Sequence, residues 1–189
     1  MKAGILLANH QKAPIMVISS KCIVLGAPGV GKTSFISKYL YSYAPPKPTY
    51  KDAPKTYKYT MPFPPPATTL EIQECIEAPE SLFSSVVLVC DPSEPTTLKH
   101  IEEEYLKLKK RRLPFGCSVV SLVKGKHSHT AGRKLAESLG LAFFTADIKS
   151  RNSVKRCFKL CWKWAKKNLT WEARKPVLFC RFKLKLQLV

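Results

Sequence analysis

The stretch GAPGVGKTS, residues 26–34, has the residue types and spacing that are best suited to chemistry. Gly26, Gly31, Lys32 and Thr33 meet the pattern G-x-x-x-x-G-K-[ST] of a phosphate-binding loop. In such loops the glycines let backbone N–H groups point at phosphate oxygens, the lysine reaches the β- and γ-phosphates, and the threonine hydroxyl binds Mg²⁺. We therefore predict a phosphate site, the alternative being a vestigial loop that keeps only the shape. Its predicted members are Gly26, Ala27, Pro28, Gly29, Val30, Gly31, Lys32, Thr33 and Ser34.

A loop of this kind must be positioned by a buried strand before it and a helix after it. The apolar run at 21–25 predicts the strand, and apolar residues at helical spacing within 34–43 predict the helix. Further strands are predicted at 56–63, 69–77, 84–91, 116–123 and 141–147, and further helices at 95–112, 130–140 and 151–168. Alternating strands and helices predict an α/β fold with a mostly parallel central sheet and helices on both faces.

Within this pattern some segments have a predicted place. We expect strand 56–63 at a sheet edge and strand 141–147 as the last central strand. Residues 102–104, three glutamates near lysines, predict a solvent-exposed helix with i, i+4 ion pairs. We expect an N-terminal extension over 1–20, one domain over 21–168 and a basic C-terminal tail over 169–189.

The net charge of +19 on 189 residues is large and unevenly distributed. Residues 70–98 contain six acids and no Lys or Arg, whereas residues 149–189 contain 13 bases against Glu172 alone. Four basic positions on the last predicted helix, here called the lysine row, are Lys155, Lys159, Lys163 and Lys167. We predict that this basic C-terminal half binds an acidic macromolecular partner, which could be RNA, tubulin or an acidic protein.

The seven cysteines form no C-x-x-C pair, and most lie among apolar residues, as reduced core cysteines do. Cys157 and Cys161 are predicted to pack in the core. No apolar run is long enough to span a bilayer, and the C-terminus has no cysteine to prenylate. We expect a protein of the cytoplasm or another reducing compartment, with no transmembrane segment and no prenyl anchor.

The order of these elements around a phosphate loop resembles the Ras superfamily of small GTPases over residues 21–168. The segment KPTYKD, residues 47–52, looks like the family's first switch, which implies that Thr49 closes over Mg²⁺ and the γ-phosphate. The loop after strand 141–147 resembles the family's short base-contacting loop, which makes Lys149 a candidate contact.

The family's third strand ends in Asp-x-x-Gly, and ECIEAPE (74–80) stands at the matching place. Glu74 then replaces the Asp that binds Mg²⁺ through water. The resemblance implies a site for GTP or GDP, with ATP not excluded, and a Mg²⁺ ion held by Thr33, Thr49 and Glu74.

Several residues depart from the family's pattern. Glu77 replaces the glycine whose amide senses the γ-phosphate, and Ala78 and Pro79 stand where the water-orienting glutamine belongs. The guanine-reading Asp is missing, because residues 105–136 contain no carboxylate; Asp147 is a candidate substitute. These departures predict negligible hydrolysis and poor base selectivity.

The sequence therefore favours a nucleotide-binding pseudo-GTPase that serves as a scaffold subunit of a larger assembly. The alternative is a divergent but active GTP-dependent switch whose missing glutamine comes from a partner. A P-loop kinase-like or ATP-using enzyme is a third class, against which the lack of a clear catalytic Asp and of an Arg-rich lid counts.

Overall fold

A computed structural model describes residues 18–41, 56–61, 68–111, 115–123, 125 and 127–172. Thr49 and the predicted first switch lie outside the described residues, as do most of the predicted extension and tail. The strands are β1 (Ile18–Leu25), β2 (Thr56–Met61), β3 (Thr68–Cys75), β4 (Ser85–Cys90), β5 (Gly116–Leu122) and β6 (Ala142–Ala146). The helices are α1 (Lys32–Tyr41), α2 (Pro95–Lys110), α3 (Thr130–Leu139) and α4 (Arg151–Glu172).

The six strands form one sheet in the order β2-β3-β1-β4-β5-β6. β2 pairs antiparallel with β3, and the other neighbouring strands are parallel. The predicted α/β class with a mostly parallel sheet is therefore confirmed, and β2 lies at an edge as expected.

The prediction of a central strand at 141–147 is wrong, because β6 forms the opposite edge of the sheet. Within the described residues it pairs with β5 alone. Phe143 and Phe144 pack against different hydrophobic clusters. Neighbouring residues of β6 point to opposite faces of the sheet, and helices cover both faces. Consecutive residues of this edge strand are therefore apolar, as they are in a central strand.

Alternate residues of the strands feed two hydrophobic layers. Cys22 and Val24 of β1 pack in the layer that contains the apolar residues of α1 and α4. Ile23 and Leu25 pack in the layer that contains those of α2 and α3. Helices on both faces of the sheet are thereby confirmed.

Many element ends differ from the predictions by one or two residues, and three differences concern the predicted extension, the phosphate-loop motif and the predicted tail. β1 begins at Ile18, within the predicted extension, and α1 begins at Lys32, within the phosphate-loop motif. α4 continues to Glu172 rather than ending at 168, since residues 169–172 contain no glycine or proline that would end a helix.

Aromatic packing fixes α1, the helix that follows the phosphate-loop motif, against α4. The Phe158 ring stacks on Phe35 and Tyr39, with centroid separations of 5.1 and 4.1 Å. Trp162 Nε1 donates to the Tyr39 hydroxyl at 2.6 Å, and burial is the main cause that raises the pKa of Tyr39 to about 12. Cys157 and Cys161 are buried free thiols in the same layer, as predicted.

Candidate phosphate-binding site

The predicted site residues within the described part of the chain lie at or just beyond the carboxyl ends of parallel strands. β1 leads into residues 26–31, Glu74 is the penultimate residue of β3, and residues 147–149 directly follow β6. In open α/β sheets this is the edge where ligands bind.

The backbone of residues 26–31 requires glycine at three positions. Gly29 and Gly31 have φ angles of 73° and 108°, in the left-handed region that L side chains rarely adopt. A Cβ added to Gly26 would lie 2.5 Å from the Val89 carbonyl oxygen of β4. The glycines that satisfy the sequence motif are therefore demanded by the conformation of the loop and its close approach to β4.

Lys32 folds back across the loop. Its Nζ donates to the carbonyl oxygens of Gly26 at 2.9 Å and Ala27 at 2.8 Å, and the residue is 4% exposed. These two bonds hold a positive charge within the loop.

Thr33 and Glu74 are brought together from different elements. Thr33 Oγ1, in the first turn of α1, lies 2.9 Å from both carboxylate oxygens of Glu74 on β3. The hydroxyl donates to the carboxylate, so two of the three predicted Mg²⁺ ligands are in direct contact.

Tyr57 of β2 is a further member of this cluster that the sequence reading missed. Its pKa is raised to about 12, mainly by burial and then by the charge of Glu74, to which its hydroxyl also hydrogen-bonds. Its place in the cluster depends on the long-range pairing of β2 with β3, which sets Tyr57 opposite Ile72, two residues from Glu74.

The turn that carries Lys149 lies beside the loop. A Cβ on Gly31 would lie 3.8 Å from Ile148 Cδ1. The backbone N–H of Lys149 donates to Asp147 Oδ1 at 2.8 Å, and the Lys149 side chain is exposed. The structure thus places the turn at residues 147–149 next to the phosphate loop. Within the described residues, no contact joins the Lys149 side chain to that loop.

The loop between β3 and β4, residues 76–84 (the β3–β4 loop), is fastened to α2 near its start. The Ala78 N–H donates to Glu104 Oε2 at 2.6 Å, and His100 Nε2 lies 2.8 Å from the Ile76 carbonyl oxygen. Just past the end of α2, Arg111 donates to the carbonyl oxygens of Pro79 and Ala78. Backbone groups of three residues in this loop are therefore tied to one helix and its cap.

Glu104 corrects the prediction of a fully solvated helix at residues 102–104. It is 3% exposed and pairs with Lys107, three residues later, whereas the exposed pair of Lys99 and Glu103 has the predicted i, i+4 spacing. Burial by itself raises the pKa of Glu104, but hydrogen bonds from Lys107 and the Ala78 N–H more than offset this, so the pKa lies below its usual value. The signal in the sequence was its position three residues after the buried Ile101.

The segment after β5, where the resemblance predicts a carboxylate that contacts the base, contains none up to residue 136. His129 precedes α3 and its Nδ1 lies 2.9 Å from Ser121 Oγ. Over the described ranges, no group of three or more His, Cys, Asp or Glu side chains could hold a metal ion. The Thr33–Glu74 pair is a smaller set that would need further oxygen ligands.

α4 has one buried face and one exposed basic face. Val154, Phe158 and Cys161 are buried, whereas Lys155, Lys159 and Lys163 are exposed. The side chain of Lys167 lies outside the description.

Comparison with family models and with curated proteins identifies no relative. No protein-family model matches the chain, and no curated protein matches it significantly. None of the helices in the described ranges combines the length and apolarity that are needed to cross a membrane.

Proposed function

We propose that this chain is a divergent Ras-superfamily-like domain that binds a nucleotide and serves as a scaffold subunit, a pseudo-GTPase, rather than as a switch. The observation that carries the proposal is the β3–β4 loop fastened to α2. In the family the corresponding loop changes conformation with the γ-phosphate. A loop whose backbone is tied to a helix by Glu104, Arg111 and His100 is poorly suited to follow a ligand.

Nucleotide binding is supported by the geometry of residues 26–33. Thr33 and Glu74 offer hydroxyl and carboxylate oxygens, the ligand types that Mg²⁺ prefers. Thr49 keeps its predicted role as a third ligand. Lys32 and the loop N–H groups would hold the phosphates, Lys149 would contact the base, and the bound ion would neutralise phosphate charge. The nucleotide is GTP or GDP, with ATP not excluded.

Weak catalysis follows from the side chains that begin the β3–β4 loop. Ala78 has no polar side-chain group with which to orient a water, and Pro79 has no N–H. The Ala78 N–H already donates to Glu104, so it is engaged within the protein. We expect single-turnover hydrolysis of GTP no faster than about 10⁻⁴ s⁻¹, the slow intrinsic rate of the family.

The assembly role rests on the exposed part of the lysine row. Lys155, Lys159 and Lys163 project from α4 with acidic residues absent between Asp147 and Glu172. Such a surface favours an acidic partner, which could be RNA, tubulin or an acidic protein.

Nucleotide release and stability measurements test the proposal. The purified protein is denatured, and the released nucleotide is identified by ion-exchange chromatography. Lys32→Ala should abolish occupancy, together with the roughly 2.7 kcal/mol of stabilisation that a ligand at one hundred times its Kd gives. Lys38→Ala, in the last turn of the same helix, is the matched control and should keep both. Wild type that binds no fluorescent nucleotide at millimolar concentration would leave the loop vestigial.

The alternative, an active GTP-dependent switch, is favoured by the contact between Thr33 and Glu74, which keeps the ligands of a working site together. Hydrogen exchange separates the two functions. A scaffold should show the same protection in the β3–β4 loop with GDP and with a non-hydrolysable GTP analogue, whereas a switch should show a difference.

A further inference from the structure

The outer edge of β6 has no partner strand within the described residues. Beside it lies a shallow hollow of about 250 Å³, lined by Arg133, Phe143, Phe144, Thr145 and Arg156. An open strand edge presents backbone N–H and C=O groups that can pair with another chain.

Two arginines from different helices flank this edge. Arg133 of α3 places its guanidinium carbon 5.5 Å from the centroid of the Phe143 ring, and Arg156 reaches the hollow from α4. Both residues are exposed, and none of the described residues that line the hollow is acidic. The Thr145 carbonyl oxygen of this edge already accepts a hydrogen bond from Ser153 Oγ at 3.3 Å. The edge therefore combines its remaining backbone groups with two aromatic rings and two positive charges.

We propose that the β6 edge is a docking site for an extended acidic segment of a partner protein, which adds to the sheet as a further strand. Strand addition uses the backbone of the partner for affinity and its side chains for specificity. Guanidinium groups bind carboxylates in a bidentate manner, so Arg133 and Arg156 select acidic side chains. An RNA has phosphates but no peptide backbone to pair with β6. The tail of this chain, residues 173–189, carries five bases and no acid, so the arginines repel it.

This inference rests on the proposed function only in that the partner is acidic. It adds that the partner is a protein and that one of its segments docks at the β6 edge. It requires no nucleotide and does not involve the lysine row.

The test is fluorescence anisotropy with the full chain and a labelled heptapeptide, Val-Glu-Glu-Val-Glu-Glu-Val, which presents carboxylates on both faces of an added strand. The double variant Arg133→Glu, Arg156→Glu should weaken binding at least about tenfold, because two attractions become repulsions. The matched control Lys109→Glu, Lys134→Glu makes the same charge change at exposed positions of α2 and α3 that do not line the hollow and lie outside the lysine row. It should change the Kd less than about threefold.

A second peptide separates strand addition from general attraction to a basic protein. N-methylation of consecutive peptide bonds keeps the charge and removes the N–H donors on both edges of the peptide, so it should abolish binding. The proposal is overturned if the full chain does not bind the heptapeptide, if the two double variants weaken binding equally, or if the methylated peptide binds as well. It is also overturned if a single-stranded oligouridylate, and not the peptide, depends on Arg133 and Arg156. Since the peptide assay contains no nucleoside di- or triphosphate, its failure leaves the scaffold proposal standing.

Discussion

Replacing Glu104 with alanine tests whether α2 holds the β3–β4 loop. The substitution removes the carboxylate that accepts the Ala78 N–H at 2.6 Å and pairs with Lys107. A hydrogen bond to a charged group contributes about 1.5–3 kcal/mol. Because Glu104 is 3% exposed, water replaces it poorly, and we expect a loss of about 2 kcal/mol in the free energy of unfolding. In a domain of this size the Tm should fall by roughly 4–8 °C.

Thermal denaturation followed by circular dichroism measures the change, and hydrogen exchange locates it. The matched control is Glu103→Ala, one residue earlier, whose carboxylate is exposed and lies 4.0 Å from Lys99. It should change stability by less than about 0.5 kcal/mol. Amides of the β3–β4 loop should exchange faster in the Glu104 variant and at the wild-type rate in the Glu103 variant.

The effect also has a predicted pH dependence. The folded pKa of Glu104 lies below its usual value, so its contribution is present above the unfolded pKa, near 4.3, and is lost as the pH falls through the folded pKa. The stability difference between wild type and Glu104→Gln should therefore be constant between about pH 7 and 5 and shrink below about pH 4. Equal Tm values and equal exchange in the Glu104 and Glu103 alanine variants would refute the reasoning, and with it the main support for a scaffold.

Three further predictions concern the loop, the base and the partner. Gly26→Ala places a Cβ 2.5 Å from the Val89 carbonyl oxygen, so it should lower the free energy of unfolding by about 1–3 kcal/mol and abolish nucleotide binding. Ala27→Gly should keep nucleotide binding. Denaturation measures the stability of each variant, and nucleotide titration measures its binding. Because residues 105–136 contain no carboxylate, GTP and ATP should compete within about tenfold of each other; a thousandfold preference for GTP would contradict this and implicate Asp147. Changing the whole lysine row to glutamate should release the chain from its assembly and leave nucleotide occupancy unchanged. Binding of the wild-type chain to the acidic partner should weaken steeply with salt concentration. Continued incorporation of the variant into the assembly would favour the switch.

The sequence by itself determined the local features whose signal lies in neighbouring residues. The spacing of Gly26, Gly31 and Lys32 predicted a loop that only glycine can form, and the structure gives Gly31 a φ of 108° and Gly26 no room for a Cβ. Hydrophobic periodicity predicted the strands, the helices and the α/β class. The spacing of apolar residues along the chain indicates whether one or two faces of a strand or helix are buried. It also placed Cys157 and Cys161 of α4 in the core.

Only the tertiary structure decided which distant residues meet. Thr33 and Glu74 are 41 positions apart, and their contact depends on β3 pairing beside β1. The burial of Glu104 depends on Ala78, 26 positions away, being folded against α2. The edge position of β6 could not be predicted, because strand order is set by long-range pairing, whereas the covering of both its faces by helices gives it the composition of a central strand. Local sequence records the spacing of apolar residues but not which distant residues a side chain meets.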